Sequence, residues 1–170
     1  MLNCTTATGG RLAYPTQMPE LSTDLERNAG SLDRLRALVE QLSAADLERS
    51  LGADWTVKTA LGHLTYWDQR QRAALALHLE TGTPLGTAST PPLEDSDDVS
   101  NVAITALANA GDGELMRAAV IEAAEGINAL LETTDRGVLA AILDSPRAEI
   151  VQRWTHREEH VAQIEAGLSG

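Results

Sequence analysis

Between positions 21 and 42, apolar residues return at Leu21, Leu25, Ala29, Leu32, Leu35, Val39 and Leu42. Steps of three and four are the period of an α-helix with one buried face; a half-buried strand alternates instead. Three further zones carry helical signals, so the chain has to cover several apolar stripes at once. A second long helix is predicted after the polar caps of "DWT" (54–56), running to about Glu80. A third is predicted from near Asp97 to about Thr133, with a kink or break at "AGDG" (110–113). The fourth opens with Ser145 as N-cap and Pro146 in the first position, and runs almost to the end of the sequence. "SAAD" (43–46) offers a capping box for a short helical turn. Ala and Leu dominate and Phe is absent, a balance that favours helices.

A chain of 170 residues is expected to form one domain with a core that needs no staples. Residues 1–18 are polar and Gly/Thr-rich and are expected to be loose, leaving a domain over 19–170. The stretch "TGTPLGTASTPPLEDSDD" (81–98) is too rich in Pro, Gly and Thr for a helix. Short loops make helices antiparallel neighbours, whereas a long connection permits parallel ones. The prediction is therefore all-α: a four-helix bundle, up-down-down-up, with a long crossover between helices two and three. The acidic "EDSDD" in that crossover lacks the glycine and distal glutamate of an EF-hand, and reads as a solvated segment ending in a helix N-cap.

A net charge of −12 argues against a protein that grips nucleic acid or an anionic membrane through bulk electrostatics. The single cysteine, Cys4, excludes an internal disulfide and a Cys-built zinc site. No apolar run approaches the length of a membrane span, and the opening "MLNCTTATGGRLAYPTQ" has no charged n-region or apolar h-region. A cytoplasmic location is expected.

The four histidines are distributed unevenly. "WTHREEH" (154–160) holds His156 and His160, and "LGHLTYWDQR" (61–70) holds His63. Residues four apart share one helical face, so His156 and His160 can point at one ion, with His63 as the candidate third ligand. All three fall at the margins of the apolar stripes, where a half-buried polar residue is also an ordinary finding. Spacing alone leaves both readings open. His78 lies about 22 Å from His63 along the second helix, at 1.5 Å per residue, and is expected to take no part. Other metal templates fail. "HREEH" is not H-E-x-x-H, and Arg157 occupies the position where an E-x-x-H pair of a di-iron bundle needs a glutamate.

"DWTVKTALGHLTYWDQR", "DDVSNVA" (97–103) and "THREEHVAQIEA", in that order, resemble the second-, third- and fourth-helix segments of the DinB/YfiT-like superfamily. The resemblance spans about residues 20–168. It implies a four-helix bundle in which His63, His156 and His160 hold one divalent ion, zinc or nickel, in an open site. Three neutral imidazoles with a vacant position agree with that chemistry, although imidazole by itself does not choose the metal. The superfamily contains thiol-dependent S-transferases and isomerases, amide hydrolases and toxin-resistance proteins. The expectation is thus a metal-dependent transferase or hydrolase acting on a small molecule, with a low-molecular-weight thiol as a candidate co-substrate. The rival from another class is a non-catalytic stress-response or sequestering protein with a vestigial metal site. Beside the ligands, Arg70 and Arg153 are the candidates for binding an anionic group, against a reading as solvated helix-edge arginines. Tyr66 and Trp67 are the candidate pocket walls, with core packing the stronger reading for Trp67. Trp55 is expected to staple the entry of the second helix. Self-association into a homodimer through an exposed helix face is expected.

Overall fold

The computed structural model describes residues 18–85 and 96–170. The N-terminal segment read as loose, and most of the 81–98 connection, lie outside the described residues. The rest runs α1 (Met18–Gln41), α2 (Ala44–Leu47), a two-stranded hairpin β1 (Ser50–Gly52) and β2 (Trp55–Thr56), then α3 (Val57–Thr81). After the connection come α4 (Ser96–Ala110), α5 (Gly113–Thr133), α6 (Arg136–Leu143), a 3-10 turn (Ala148–Ile150) and α7 (Arg153–Ser169). The fold is all-α apart from the hairpin.

Local chemistry accounts for the boundaries. Ser43 and Asp46 form the reciprocal capping box of α2, satisfying two helix-end donors at once. Thr56 accepts from the Thr59 backbone N–H and starts α3, and Gly82, at a left-handed φ of 70°, ends it. The "AGDG" break is real: Asp112 accepts from Glu114 N–H and caps a separate helix, α5. Two expectations need correction. The fourth helix does not begin at Ser145 and Pro146. The Ser145 hydroxyl instead donates to the Ile142 carbonyl and accepts from Arg147 N–H, which closes a turn, and α7 starts only at Arg153. In front of it stands the unanticipated α6, capped by Asp135, whose carboxylate accepts from the N–H groups of Gly137 and Val138. The hairpin was not expected either. It turns through Gly52, at φ 100°, and its β2 runs straight into α3.

Apolar side chains gather in two clusters. The first joins Leu35 and Val39 of α1, Leu61 and Leu64 of α3, Val120 and Ala124 of α5, and Val161 and Ile164 of α7. The second joins Leu21 of α1, Leu75 of α3, Ile127 and Leu131 of α5, Leu139 of α6, and Ile150. Along the chain, each of the four longest helices carries a buried polar residue near the changeover: Asn28, Asp68, Asn128 and Arg157. Arg157 donates to Asp68 and Asn128 and to the carbonyls of Asn28 and Ala124, so buried polar groups answer one another. No helix among the described residues is long and apolar enough to cross a membrane.

α4 lies against α3 where Gly62 leaves room: a Cβ there would come within 2.9 Å of Ala108 Cβ. That close approach brings Asn101 of α4 toward Trp67, whose Nε1–H donates to the Asn101 side-chain oxygen at 3.4 Å.

Candidate metal centre

His63 of α3 and His156 and His160 of α7 meet where those two helices pack. One ring nitrogen of each lies within 4.8 Å of the others, and the ring centroids are 4.6–5.0 Å apart. Ligands arranged tetrahedrally around zinc at 2.0–2.1 Å stand about 3.4 Å from one another, so small side-chain rotations complete the site. His63 and His160 are buried and His156 is half-buried. His78 lies apart, donating from Nδ1 to the Thr83 carbonyl 2.8 Å away.

The hydrogen bonds fix the protons. An arginine can only donate, so the Arg153 contact to His156 Nδ1 at 3.0 Å makes that nitrogen an acceptor. His156 then carries its proton on Nε2 and donates it to His63 Nε2, 2.9 Å away. His63 in turn carries its proton on Nδ1, the one buried side-chain polar atom without a partner among the described residues. His160 donates from Nδ1 to Gln163 Oε1 at 2.9 Å, which leaves its Nε2 lone pair free. That outer hydrogen bond is the arrangement a ligating histidine uses.

All three imidazoles are held neutral. Burial pushes His63 down to about 4, aided by repulsion from His160 and opposed by Asn101 nearby. His156 falls to about 2, through burial first and then the charge of Arg153. Burial lowers His160 as well, with Gln163 opposing. Neutral imidazole is the form that binds a cation, so no imidazolium proton has to be released near pH 7. The residues therefore fit a divalent ion. One consequence is forced by valence. If Nε2 of a neutral His156 takes the ion, Nδ1 holds the proton; if Nδ1 takes it, its lone pair is used. Either way the Arg153–His156 hydrogen bond breaks on loading.

A cavity of about 570 Å³ opens beside the cluster, with His63, His156, Trp67, Arg70 and Arg153 in its lining. Tyr66 is outside that lining, 39% exposed, with its ring edge-on to Trp67 at 5.3 Å. Arg70 lays its guanidinium over the Trp67 ring, 5.0 Å from the centroid. Arg153 is neither solvated nor at an edge: it is 3% exposed and donates from Nε to Asp68 at 2.8 Å.

Several site residues escape the sequence reading. Trp55 does more than staple a helix entry: its ring stacks on His160 at 5.7 Å and tilts against His63 at 5.0 Å. Its position depends on the hairpin, which no periodic signal announces. Asp68 and Arg157 were legible in principle. Asp68 stands four residues after Leu64 and seven after Leu61, and Arg157 four before Val161 and seven before Ile164, so both occupy apolar-stripe positions. A charge in such a place needs a partner, and each supplies the other's at 2.9 Å.

A largely helical fold carrying a three-histidine cluster beside an open cavity defines a protein fitted to bind a metal ion. The model of the DinB superfamily matches residues 27–164, and the chain belongs to that superfamily. No protein of curated function and no solved structure matches the chain.

Proposed function

We propose that this protein is a metal-dependent enzyme of the thiol-transfer or hydrolysis type, acting on a small molecule at the His63, His156 and His160 site. The observation that carries the reading is the convergence of three neutral imidazoles, two of which, His63 and His156, line a cavity of about 570 Å³, a size in the ordinary range for small ligands. His63, His156 and His160 would hold a divalent ion, zinc or nickel, whose Lewis acidity would lower the pKa of a bound nucleophile toward neutrality. Around it, Gln163 orients His160 through its Nδ1–H, and Trp55 shields the far side of that ring. Trp67 gives the cavity an apolar wall, while Arg70 and Arg153 supply positive charge to substrate.

The reading includes an up-down-down-up four-helix bundle for α1, α3, α5 and α7. What supports it is the order in which each helix meets the two apolar clusters. α1 runs from the second cluster to the first, and α3 and α5 from the first to the second; α7 follows Ile150 and Val151 of the second cluster and places Val161 and Ile164 in the first.

The test uses protein purified without a histidine tag, loaded with zinc or nickel, and assayed in two panels. One pairs glutathione with aryl halide and epoxide electrophiles; the other offers p-nitroanilide amides. Turnover that disappears in His156→Ala and His160→Ala supports the proposal. Protein that takes up no ion refutes the metal site, and loaded protein inert toward both panels refutes the enzymatic reading.

A further inference from the structure

We propose that the cavity beside the three histidines binds the carboxylate of a small organic anion, through the guanidinium groups of Arg70 and Arg153. The proposal rests on the reading of this cavity as the substrate site, and names the class of molecule it takes.

The first support is an unbalanced buried charge. Arg153 and Arg157 are 3% and 0% exposed, and both donate to the same carboxylate, Asp68. Their other partners carry no charge: the Asn128 side chain, the carbonyls of Asn28, Ala124 and Glu149, and His156. Two cations share one anion, which leaves one positive charge without a counterion in a place where an unpaired charge is costly. Arg153 is also the member of the pair that lines the cavity. One terminal nitrogen donates to the Glu149 carbonyl and the other to His156, and each carries a second N–H.

Arg70 gives the second support. Arg70 makes no ion pair among the described residues; its guanidinium rests on the Trp67 ring, in the lining of the same cavity. Stacking leaves the N–H edge of the fork free, in the geometry that grips a carboxylate with two parallel bonds. The lining carboxylates do not cancel this charge. Glu149 is paired with Arg147 at 2.6 Å, and Glu159 is exposed and screened by solvent. A cavity of about 570 Å³ with the Trp67 ring in its lining is larger than an inorganic ion needs, which favours an anion with an organic body.

Calorimetric titration of metal-free protein with benzoate, its neutral isostere benzamide and inorganic phosphate tests the proposal. Benzoate is expected to bind one per chain, about tenfold or more tighter than benzamide and than phosphate. Arg70→Gln, at an exposed position, is expected to weaken benzoate by about tenfold, with Arg70→Lys recovering part of the loss. Equal affinity for benzoate and benzamide, phosphate binding as tightly as benzoate, no benzoate binding, or an unchanged affinity in Arg70→Gln overturns it. Zinc uptake is measured on the same samples. Uptake without benzoate binding overturns the anion site and leaves the metal site standing; benzoate binding without uptake does the reverse.

Discussion

Replacing Asp68 with asparagine strips the Arg153–Arg157 pair of its carboxylate while keeping the side chain's shape. Asp68 is fully buried, and it accepts from Arg153 Nε at 2.8 Å and Arg157 Nε at 2.9 Å. An asparagine can answer one of these donors with its oxygen but turns an N–H₂ toward the other. Two guanidinium groups are then left buried without a counterion. Breaking a buried ion pair from one side costs about 3–5 kcal/mol, since the orphaned charge stays behind. For a domain of this size each kcal/mol moves the melting temperature by about 2–4 °C, so the variant is expected to melt roughly 6–20 °C lower. Thermal unfolding followed by circular dichroism measures it. Glu114→Gln is the control: it breaks the Glu114–Arg117 pair, in which Glu114 is 63% exposed, and is expected to cost less than about 1 kcal/mol. An Asp68→Asn protein that melts no lower than the Glu114→Gln control would show that the two arginines are not truly desolvated, and would refute the argument from buried charge.

Zinc titration is expected to end at about one tightly held ion per chain, with removal by a chelator lowering the melting temperature but leaving the helical signal intact. Alanine at His63, His156 or His160 abolishes tight uptake, whereas His78→Ala keeps it; an ion lost from the His78 variant would place the site elsewhere. The metal-free protein also has a defined response to acid. His63 titrates near 4 in the folded state against 6.5 unfolded, so the unfolded chain binds the extra proton and stability falls as pH drops from 6.5 toward 4. The loss attributable to His63 is about 3 kcal/mol. Urea unfolding between pH 7 and 4.5 is expected to show a shallower decline in His63→Gln; parallel slopes in the two proteins would contradict the burial of that ring.

How much of this was legible in the sequence follows from what each residue depends on. Apolar period, the Ser43–Asp46 box, the Thr56 cap and the Asp112 break are local: a few neighbouring residues decide them, and the structure has each where the pattern predicts. Ser145 does accept from the Arg147 N–H as a cap would, but the segment it opens is only a turn and the 3-10 turn Ala148–Ile150, so α7 starts at Arg153; ahead of it α6 has an ordinary cap in Asp135. One turn of spacing in α7 and one histidine in α3, read with a family resemblance, name the three histidines that the structure brings together. How Trp55 and Arg153 contact that set was not readable. Trp55 reaches the histidines only because a hairpin turned by Gly52 folds back ahead of α3. Arg153 reaches both Asp68 and His156 only because α7 lies along α3.

Sequence by itself determined which residues can ligate, since the identity of a histidine and its place on a helical face are properties of the chain. Tertiary packing alone decided what state those histidines are in. Their protons, their neutrality and the uncompensated charge behind them come from groups as far apart in the chain as Asp68 and Arg157, 89 positions. Electrostatic energy depends on distance through space and on the exclusion of water, and neither is written in the order of the residues.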